Sequence, residues 1–111
     1  MAIRKLDRDE WEAFFDSVSA HACARTVDVE VLSPALGAQH QGRSVPLIGV
    51  SYDPRDDALD VAMKGLEHRI AAPAQIYVDE GPQGLESVEV ALGDGSKQIL
   101  KFAPVLQLPS A

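Results

Sequence analysis

Two consecutive β-hairpins in residues 48–70 constrain the fold of this chain more than any other feature. The first turn, residues 53–58, carries Pro54 among acidic neighbours, and a second turn is predicted at residues 64–65. Because side chains alternate between the faces of a strand, this register places an apolar set on one face, with His68 as its single polar member. The predicted pairs are Tyr52–Leu59, Val50–Val61, Ile48–Met63, Met63–Leu66, Val61–His68 and Leu59–Ile70.

An amphipathic helix is predicted over residues 7–22, as the first element of the chain. Asp7 is a favourable N-cap residue, and Glu10 stands where a capping box places its acidic side chain. Apolar side chains then recur at helical spacing, which indicates a helix with one face against a core. This stripe consists of Trp11, Phe14, Phe15, Val18 and Ala22.

Beyond about residue 25 the hydrophobic period changes from 3.6 to 2, and about six antiparallel strands are predicted over residues 26–108. Residues 33–44 contain one proline and two glycines, so we expect a long loop there. Pro73 is expected to interrupt the fourth strand with a bulge or a short irregular turn. The apolar tail at residues 104–108 is expected to add an edge strand or to cover the core.

The last hairpin poses a choice between turn preference and core matching. A two-residue Asp-Gly turn places Val88 opposite a lysine. A shift by one residue keeps the apolar faces together and pairs Val88 with Phe102 and Val90 with Leu100. Since a one-residue slip moves every side chain to the other face, we predict the shifted register.

These elements predict a single α+β domain over residues 1–111, with the helix at about 7–22 and the antiparallel sheet at about 26–108. An N-terminal helix followed by about six strands in largely sequential order describes a meander. Such a sheet hides its edges by curling, either as a curved sheet or as a small barrel, with the helix over an open end or face.

Composition and charge exclude several classes of partner and compartment. The formal net charge of −7 argues against nucleic-acid binding, because neutralised phosphates supply most of that affinity. The N-terminus has no secretory signal, and no apolar run is long enough to span a bilayer. One cysteine allows no internal disulfide. We therefore expect a cytoplasmic protein with no nucleic-acid or membrane partner.

The sequence shows no catalytic constellation, and we predict no catalytic residues, no cofactor and no metal site. The acidic cluster around the first turn lacks the spacing of a calcium loop, so turn capping and solubility explain it. His21 and Cys23 lie two residues apart near the helix end and do not share a face as metal ligands must. The cluster consists of Asp53, Asp56, Asp57 and Asp60.

Three residues are the candidate binding residues. His68 is the polar member of an apolar face, where an imidazole needs hydrogen-bond partners. Tyr77 points to the side opposite its apolar neighbours, so its phenol is either exposed or covers a second small core. Asp79 follows on the same face, where the strand runs into a glycine-proline turn.

Several short segments along the chain form a distinctive combination. They are Arg4-Lys5-Leu6, Glu10-Trp11, Phe14-Phe15-Asp16, Tyr52-Asp53-Pro54, Asp56-Asp57, Gly65-Leu66 with His68, Pro73, and Ile76-Tyr77-Val78-Asp79-Glu80-Gly81-Pro82. In this combination the chain resembles the bacterial domain of unknown function 5335 family over almost its whole length. The resemblance implies a stand-alone bacterial cytoplasmic domain, and it implies no activity, ligand or catalytic residue.

The leading hypothesis for function is a non-enzymatic binding or protein-interaction module, which forms a homo-oligomer or docks on a protein partner through exposed sheet edges. One alternative is a small enzyme or ligand-binding protein with a pocket near His68, framed by residues 33–44 and 81–84. A pocket joining His68 to Tyr77 or to a carboxylate favours that alternative, and a sealed imidazole argues against it. A second alternative is an Sm-like RNA binder, which the acidic charge disfavours.

Overall fold

The computed structural model describes residues 2–20, 25–35, 37–81 and 84–104, and only the backbone of residues 2, 40–42, 81, 84 and 104. Within these ranges, eight strands form one antiparallel sheet. The strands are β1 (Ala2–Lys5), β2 (Arg25–Ser33), β3 (Gly37–Asp53), β4 (Ala58–Met63), β5 (Leu66–Ala71), β6 (Pro73–Gly81), β7 (Gly84–Leu92) and β8 (Lys97–Pro104). A 3₁₀ turn (Arg8–Glu10) and helix α1 (Trp11–Ala20) lie between β1 and β2.

The sheet is open, with β1 and β5 at its two ends, in the order β1-β6-β7-β8-β2-β3-β4-β5. The prediction of an α+β fold with an antiparallel sheet is confirmed. The predicted meander of about six strands is wrong, because β1 pairs with β6 and β2 pairs with β8. The sheet is not closed into a barrel.

Strand β3 is 17 residues long and joins the two parts of the sheet. Its residues 37–46 pair with β2 and its residues 47–53 pair with β4, with a bulge between Leu47 and Gly49. Beyond Pro46, where the pairing with β2 stops, helix α1 covers the edge of β3. The Ser19 hydroxyl accepts a hydrogen bond from the Val50 N–H at 2.9 Å and donates one to the Val50 carbonyl at 2.6 Å.

The helix differs from its prediction at its start. A strand precedes it, and α1 itself begins at Trp11, after the 3₁₀ turn. Asp7 has an extended backbone but makes no side-chain capping hydrogen bond. The Glu10 carboxylate accepts a hydrogen bond from Arg4 of β1 at 2.8 Å instead. The predicted capping box is therefore wrong, because a strand that the sequence analysis missed supplies the partner of Glu10.

One core joins the helix to both parts of the sheet. Trp11 and Phe15 of α1 are fully buried, while Phe14 and Val18 are partly buried against the same core. The Trp11 ring meets the Tyr52 ring edge-on, with centroids 5.2 Å apart. The buried strand residues are Val27, Val29, Leu47, Val50, Tyr52, Leu59, Val61, Met63, Ile70, Ile76, Val78, Val88, Val90, Leu100 and Phe102.

The two hairpins in residues 48–70 have the predicted registers with one exception. Tyr52 lies opposite Leu59, and the other predicted pairs follow through both turns. Met63, however, lies opposite Leu47 instead of Ile48. Ile48 is the extra residue of the bulge and is 64% exposed.

Residues 33–44 form most of a hairpin rather than the predicted long loop. Strand β2 continues to Ser33, and β3 begins at Gly37, whose positive φ of 72° suits a turn. The side chains that the structure describes in residues 37–44 are exposed. Because none of the side chains described in residues 37–44 is buried, this segment has no alternating apolar pattern from which a strand could be predicted.

The last hairpin keeps the predicted faces but not the predicted pairs. Val88 lies opposite Leu100, and Val90 lies opposite Gln98, so β8 is displaced by two residues from the prediction. The turn is the physical reason. The Leu92 N–H donates to the Ser96 carbonyl at 2.9 Å across a three-residue loop, in which Gly95 has a φ of 89°.

Two other expectations concern Pro73 and the C-terminal tail. The interruption expected at Pro73 is confirmed: β5 ends at Ala71, and Ala72 with a φ of 50° joins it to β6. The tail, expected to add an edge strand or to cover the core, lies outside the described residues from position 105 onward. Helix α1, with ten residues, is too short to span a bilayer, and the structure describes no longer helix.

Candidate functional site

The imidazole of His68 lies on the core-facing side of β5, as its register predicted. Its Nε2 lies 2.5 Å from the Oε1 of Gln98, which is on the core-facing side of β8. This contact connects two strands that are far apart in the sheet order. Gln98 is the partner that sequence reasoning missed, although its spacing from Leu100 and Phe102 marks it as a second polar side chain on an apolar face.

Tyr77 and Asp79 share the opposite, outer face of the sheet. Their strand β6 lies between β1 and β7, and both side chains line a depression of about 340 Å³. The Tyr77 hydroxyl donates a hydrogen bond to the Gln75 side chain at 3.0 Å. The structure therefore brings Tyr77 and Asp79 together and places His68 elsewhere.

Arg69 occupies the centre of the acidic cluster at the first turn. Its guanidinium lies 3.0 Å from Asp60, 3.2 Å from Asp56 and 3.7 Å from Asp53. A single arginine thus neutralises part of a charge cluster that the sequence alone attributes to turn capping and solubility. Capping is present as well, since Asp53 accepts a backbone hydrogen bond from Arg55 at 2.9 Å.

A second ionic group connects the helical segment to the β3–β4 turn. The Arg8 guanidinium lies over the Trp11 ring at 4.4 Å and contacts Asp57 at 3.2 Å. The Tyr52 hydroxyl donates a hydrogen bond to the same Asp57 carboxylate at 2.6 Å. Burial, followed by this hydrogen bond, raises the pKa of Tyr52. The hydrogen bond from Tyr52, supported by Arg8, lowers the pKa of Asp57.

Tyr52→Phe is expected to lower the free energy of unfolding by about 1 kcal/mol near neutral pH, since it removes a hydrogen bond to a half-exposed charged group. The lowered pKa of Asp57 means that its contribution is present above about pH 4 and is lost as the pH falls through the folded value. The raised pKa of Tyr52 means that its contribution is present below about pH 10 and is lost as the pH rises.

The difference in the free energy of unfolding between the unaltered chain and Tyr52→Phe should therefore be constant from about pH 5 to 9. It should become smaller below and above this range. Denaturant unfolding across this range measures it. Tyr77→Phe is the matched control, because that hydroxyl donates to the neutral amide of Gln75 and not to a carboxylate. A Tyr52→Phe difference that stays constant from pH 3 to pH 11 would contradict the proposed ionic coupling.

Three edge segments of the described sheet, other than β5, are protected. Strand β1 has four residues and carries Arg4 and Lys5. Residues 37–46 of β3 have irregular pairing with β2, and Ser44 has a positive φ of 49°. Residues 47–53 are covered by Ser19 of α1. A further strand is less able to add to an edge that is short, carries basic side chains, is irregularly paired or is covered by a helix.

Strand β5 also carries charged side chains, but they are of both signs, and the strand is longer than β1 and more regular than residues 37–46. Its six residues pair with β4 in unbroken register, and no bulge or proline interrupts them. Leu66, at its beginning, is 40% exposed on the core-facing side. Glu67 and Arg69 lie on the outer side, and among the described residues Glu67 has no hydrogen-bond or ion-pair partner. A regular edge of this kind is a template for pairing with another strand.

The outer face beside β5 forms a shallow depression of about 630 Å³. Small residues make up its floor where β3 and β4 are paired: Gly49 lies opposite Ala62, and Ser51 lies opposite Asp60. Glu67 and Arg69 stand on the β5 side. His68 borders the same depression, but strand alternation directs its imidazole to the other face.

Metal binding has no geometric support in the part of the chain that the structure describes. No group of three or more histidine, cysteine, aspartate or glutamate side chains lies close enough there to hold an ion. The two candidate ligands near the helix end, His21 and Cys23, lie outside the described residues.

Comparisons with known proteins agree with the resemblance seen in the sequence. The profile of a family of unknown function, DUF5335, matches residues 2–111. An uncharacterized protein of Aquifex aeolicus (strain VF5) is 34% identical over 110 residues, which cover 98% of this chain and 99% of that protein. No solved structure matches the chain. The predicted membership is confirmed, and the chain belongs to the DUF5335 family.

Proposed function

We propose that this chain is a protein-interaction module that acts as a symmetric dimer, with β5 of one copy paired antiparallel to β5 of the other. The observation that carries the proposal is the order of side chains along β5. Around His68 the strand reads leucine, glutamate, histidine, arginine, isoleucine, so that acid and base lie at equal distances on either side of the centre.

A two-fold axis at His68 makes this order self-complementary. In that register Glu67 lies opposite Arg69 of the partner subunit, and the reverse pair forms by symmetry. Leu66 then lies opposite Ile70 of the partner subunit on the core-facing side. Opposite charges and apolar pairs that face each other across strands stabilise an antiparallel pair, and the partly exposed Leu66 gains apolar cover.

The existing contacts of the two charged residues are compatible with this pairing. Arg69 turns towards the β3–β4 turn, where it meets carboxylates, and a guanidinium has five donors to share. Glu67 has no competing partner within the described residues. Isologous contacts of this type, with the same patch on both copies, are the commonest in soluble oligomers.

Glu67→Arg tests the proposal because it places two arginines opposite each other at both symmetric positions. Each of the two pairs changes from attraction to repulsion, so the dimer should weaken by about 2 kcal/mol, which is about thirtyfold in dissociation constant. Sedimentation velocity over a concentration series measures the constant. Glu12→Arg, the same charge change on the exposed side of α1, should leave it unaltered.

Two results would refute the proposal. One is an unaltered chain that sediments as a monomer throughout the concentration series. The other is a dimer that Glu67→Arg and Glu12→Arg weaken equally, because the effect would then come from net charge and not from β5.

A further inference from the structure

His68 lies at the centre of the edge on which the proposed dimer is built, and the inference that follows rests on that dimer. The two-fold axis that places Glu67 opposite Arg69 of the partner subunit passes between His68 and His68 of the partner subunit. His68 is therefore the residue of β5 that meets its own copy. It lies on the core-facing side and is half-buried within one copy.

A backbone hydrogen bond at the end of the β4–β5 pair shows which groups of β5 face the free edge. The Ala72 N–H donates to the Asp57 carbonyl at 2.8 Å, and a bond in this position flanks a non-hydrogen-bonded pair, Ala58–Ala71. Because the two types of pair alternate along an antiparallel ladder, His68 is bonded to β4 through its own N–H and carbonyl. The residues on either side of it present theirs to the free edge.

This alternation brings the two imidazole rings close together in the dimer. The residues beside His68 form the hydrogen-bonded pairs, and His68 forms a non-hydrogen-bonded pair with His68 of the partner subunit. Pairs of the second type are the closer ones, with Cα atoms about 4.5 Å apart and side chains in contact on one face. Two neutral rings can pack at this distance, but two imidazolium ions repel each other, since like charges directly opposite destabilise a strand pair.

The immediate surroundings of His68 supply no negative charge. The Gln98 Oε1, 2.5 Å from Nε2, is an acceptor, so Nε2 carries a hydrogen, and both the neutral and the protonated ring can donate it. Val61 lies opposite on β4, and Leu66 and Ile70 flank His68 on the same side of β5. No ion pair involves His68 within the part of the chain that the structure describes.

The other elements around the core also bring no group that changes charge near neutral pH. On β3, burial raises the pKa of Tyr52, and the hydrogen bond from Tyr52 lowers the pKa of Asp57, so this pair keeps its charge between about pH 5.5 and 7.5. Glu67 and Arg69 lie on the outer face. The buried core-facing side chains of α1, β2, β6, β7 and β8 are apolar: Trp11, Phe15, Val27, Val29, Ile76, Val78, Val88, Val90, Leu100 and Phe102.

We propose that pH controls the β5 dimer through His68, whose protonation places two like charges at the two-fold axis and separates the copies. Histidine is the side chain whose charge ordinarily changes between about pH 5 and 8. A proton binds less readily in the dimer than in the separate copies, so by linkage the dimer weakens as the pH falls. The net charge of −7 acts in the opposite sense, because added protons reduce the general repulsion between copies.

Sedimentation velocity over a concentration series at about pH 7.5 and about pH 5.5, at constant ionic strength, measures the effect. A chelator is included so that trace metal ions do not bridge the two rings. We expect the dissociation constant of the unaltered chain to rise at least about tenfold at the lower pH, which corresponds to one proton excluded from each dimer.

Two variants assign the effect to this residue, after circular dichroism has shown that each is folded. His68→Gln has a neutral side chain at both pH values and should dimerise with the same constant at each. The chain has three histidines, so the double variant His21→Gln/His40→Gln retains His68 alone and should keep the full change. The double variant leaves β5 unaltered and gives a result even if His68→Gln does not fold.

Failure of this inference is distinct from failure of the dimer itself. A chain that is monomeric throughout the series at about pH 7.5 contradicts the β5 dimer, and the inference with it. A dimer that Glu67→Arg weakens, but whose dissociation constant is the same at both pH values, overturns the inference alone. A pH effect that persists in His68→Gln, or that is lost in the double variant, also overturns it.

Discussion

Phe15→Ala is expected to lower the free energy of unfolding by about 3–5 kcal/mol, the largest single loss among the changes considered. Phe15 is completely buried and belongs to the core that joins α1 to both parts of the sheet. Its ring meets that of Phe14 edge-on, with centroids 5.3 Å apart. The truncation removes the transfer free energy of the ring and leaves a cavity that rigid strands fill poorly.

Denaturant unfolding followed by circular dichroism measures this loss. Phe14→Ala is the matched control, since it makes the same truncation at the next residue, where the ring is only partly buried. We expect the control to lose roughly half as much. Equal losses at the two positions would show that α1 does not attach to the sheet through the face described.

Ser19→Ala is expected to lower the free energy of unfolding by about 2 kcal/mol, because it leaves the N–H and the carbonyl of Val50 without their partner. Those groups lie where β3 has left β2, so no neighbouring strand replaces the hydroxyl. The substitution should also weaken the structure locally, around Val50. Hydrogen exchange at the Val50 amide should accelerate by about thirtyfold.

The conservative variant Ser19→Thr keeps the hydroxyl and should keep the slow exchange of Val50. Ser51→Ala removes a hydroxyl from an exposed position on the same strand and should change neither quantity. Fast exchange at Val50 in the unaltered chain would contradict the view that α1 protects this edge.

Sequence reasoning succeeded where a buried face imposed a strict alternation. The pairs Tyr52–Leu59 and Val61–His68 follow from that alternation together with two recognisable turns. It failed at Ile48, because a bulge adds a residue without a clear sequence signal. It also failed to predict β1, a four-residue edge strand with too few residues for a period to show.

In the last hairpin, the matching of apolar faces predicts only part of the register. Keeping Val88 and Leu100 on one face follows from the apolar pattern, and the structure agrees. The pattern alone does not distinguish registers that differ by two residues, since these preserve the faces. The three-residue loop ending at Gly95 selects between them, and its geometry depends on backbone conformation more than on hydrophobicity.

For the candidate sites, sequence identified single residues better than their partners. His68 was singled out from its face, but Gln98 is 30 residues away and meets it only through the curvature of the sheet. The role of Arg69 among three carboxylates depends on the β4–β5 register. The free edge of β5 depends on the whole strand order, which local patterns do not contain.

The most direct test of the β5 dimer mixes two variants that should each dimerise about thirtyfold more weakly, at a concentration between the two dissociation constants. Glu67→Arg opposes arginine to arginine, and Arg69→Glu opposes glutamate to glutamate. In a mixed pair, both cross-strand positions again carry opposite charges. Light scattering at matched concentration measures the masses, after circular dichroism has shown that each variant is folded.

At that concentration the β5 account predicts a mass close to twice the chain mass of 11.9 kDa for the unaltered protein, close to 11.9 kDa for each variant alone, and close to twice that mass again for their equimolar mixture. Recovery in the mixture depends on residues 67 and 69 facing each other across the two-fold axis. A mixture that remains monomeric while the unaltered chain is dimeric would contradict pairing through β5.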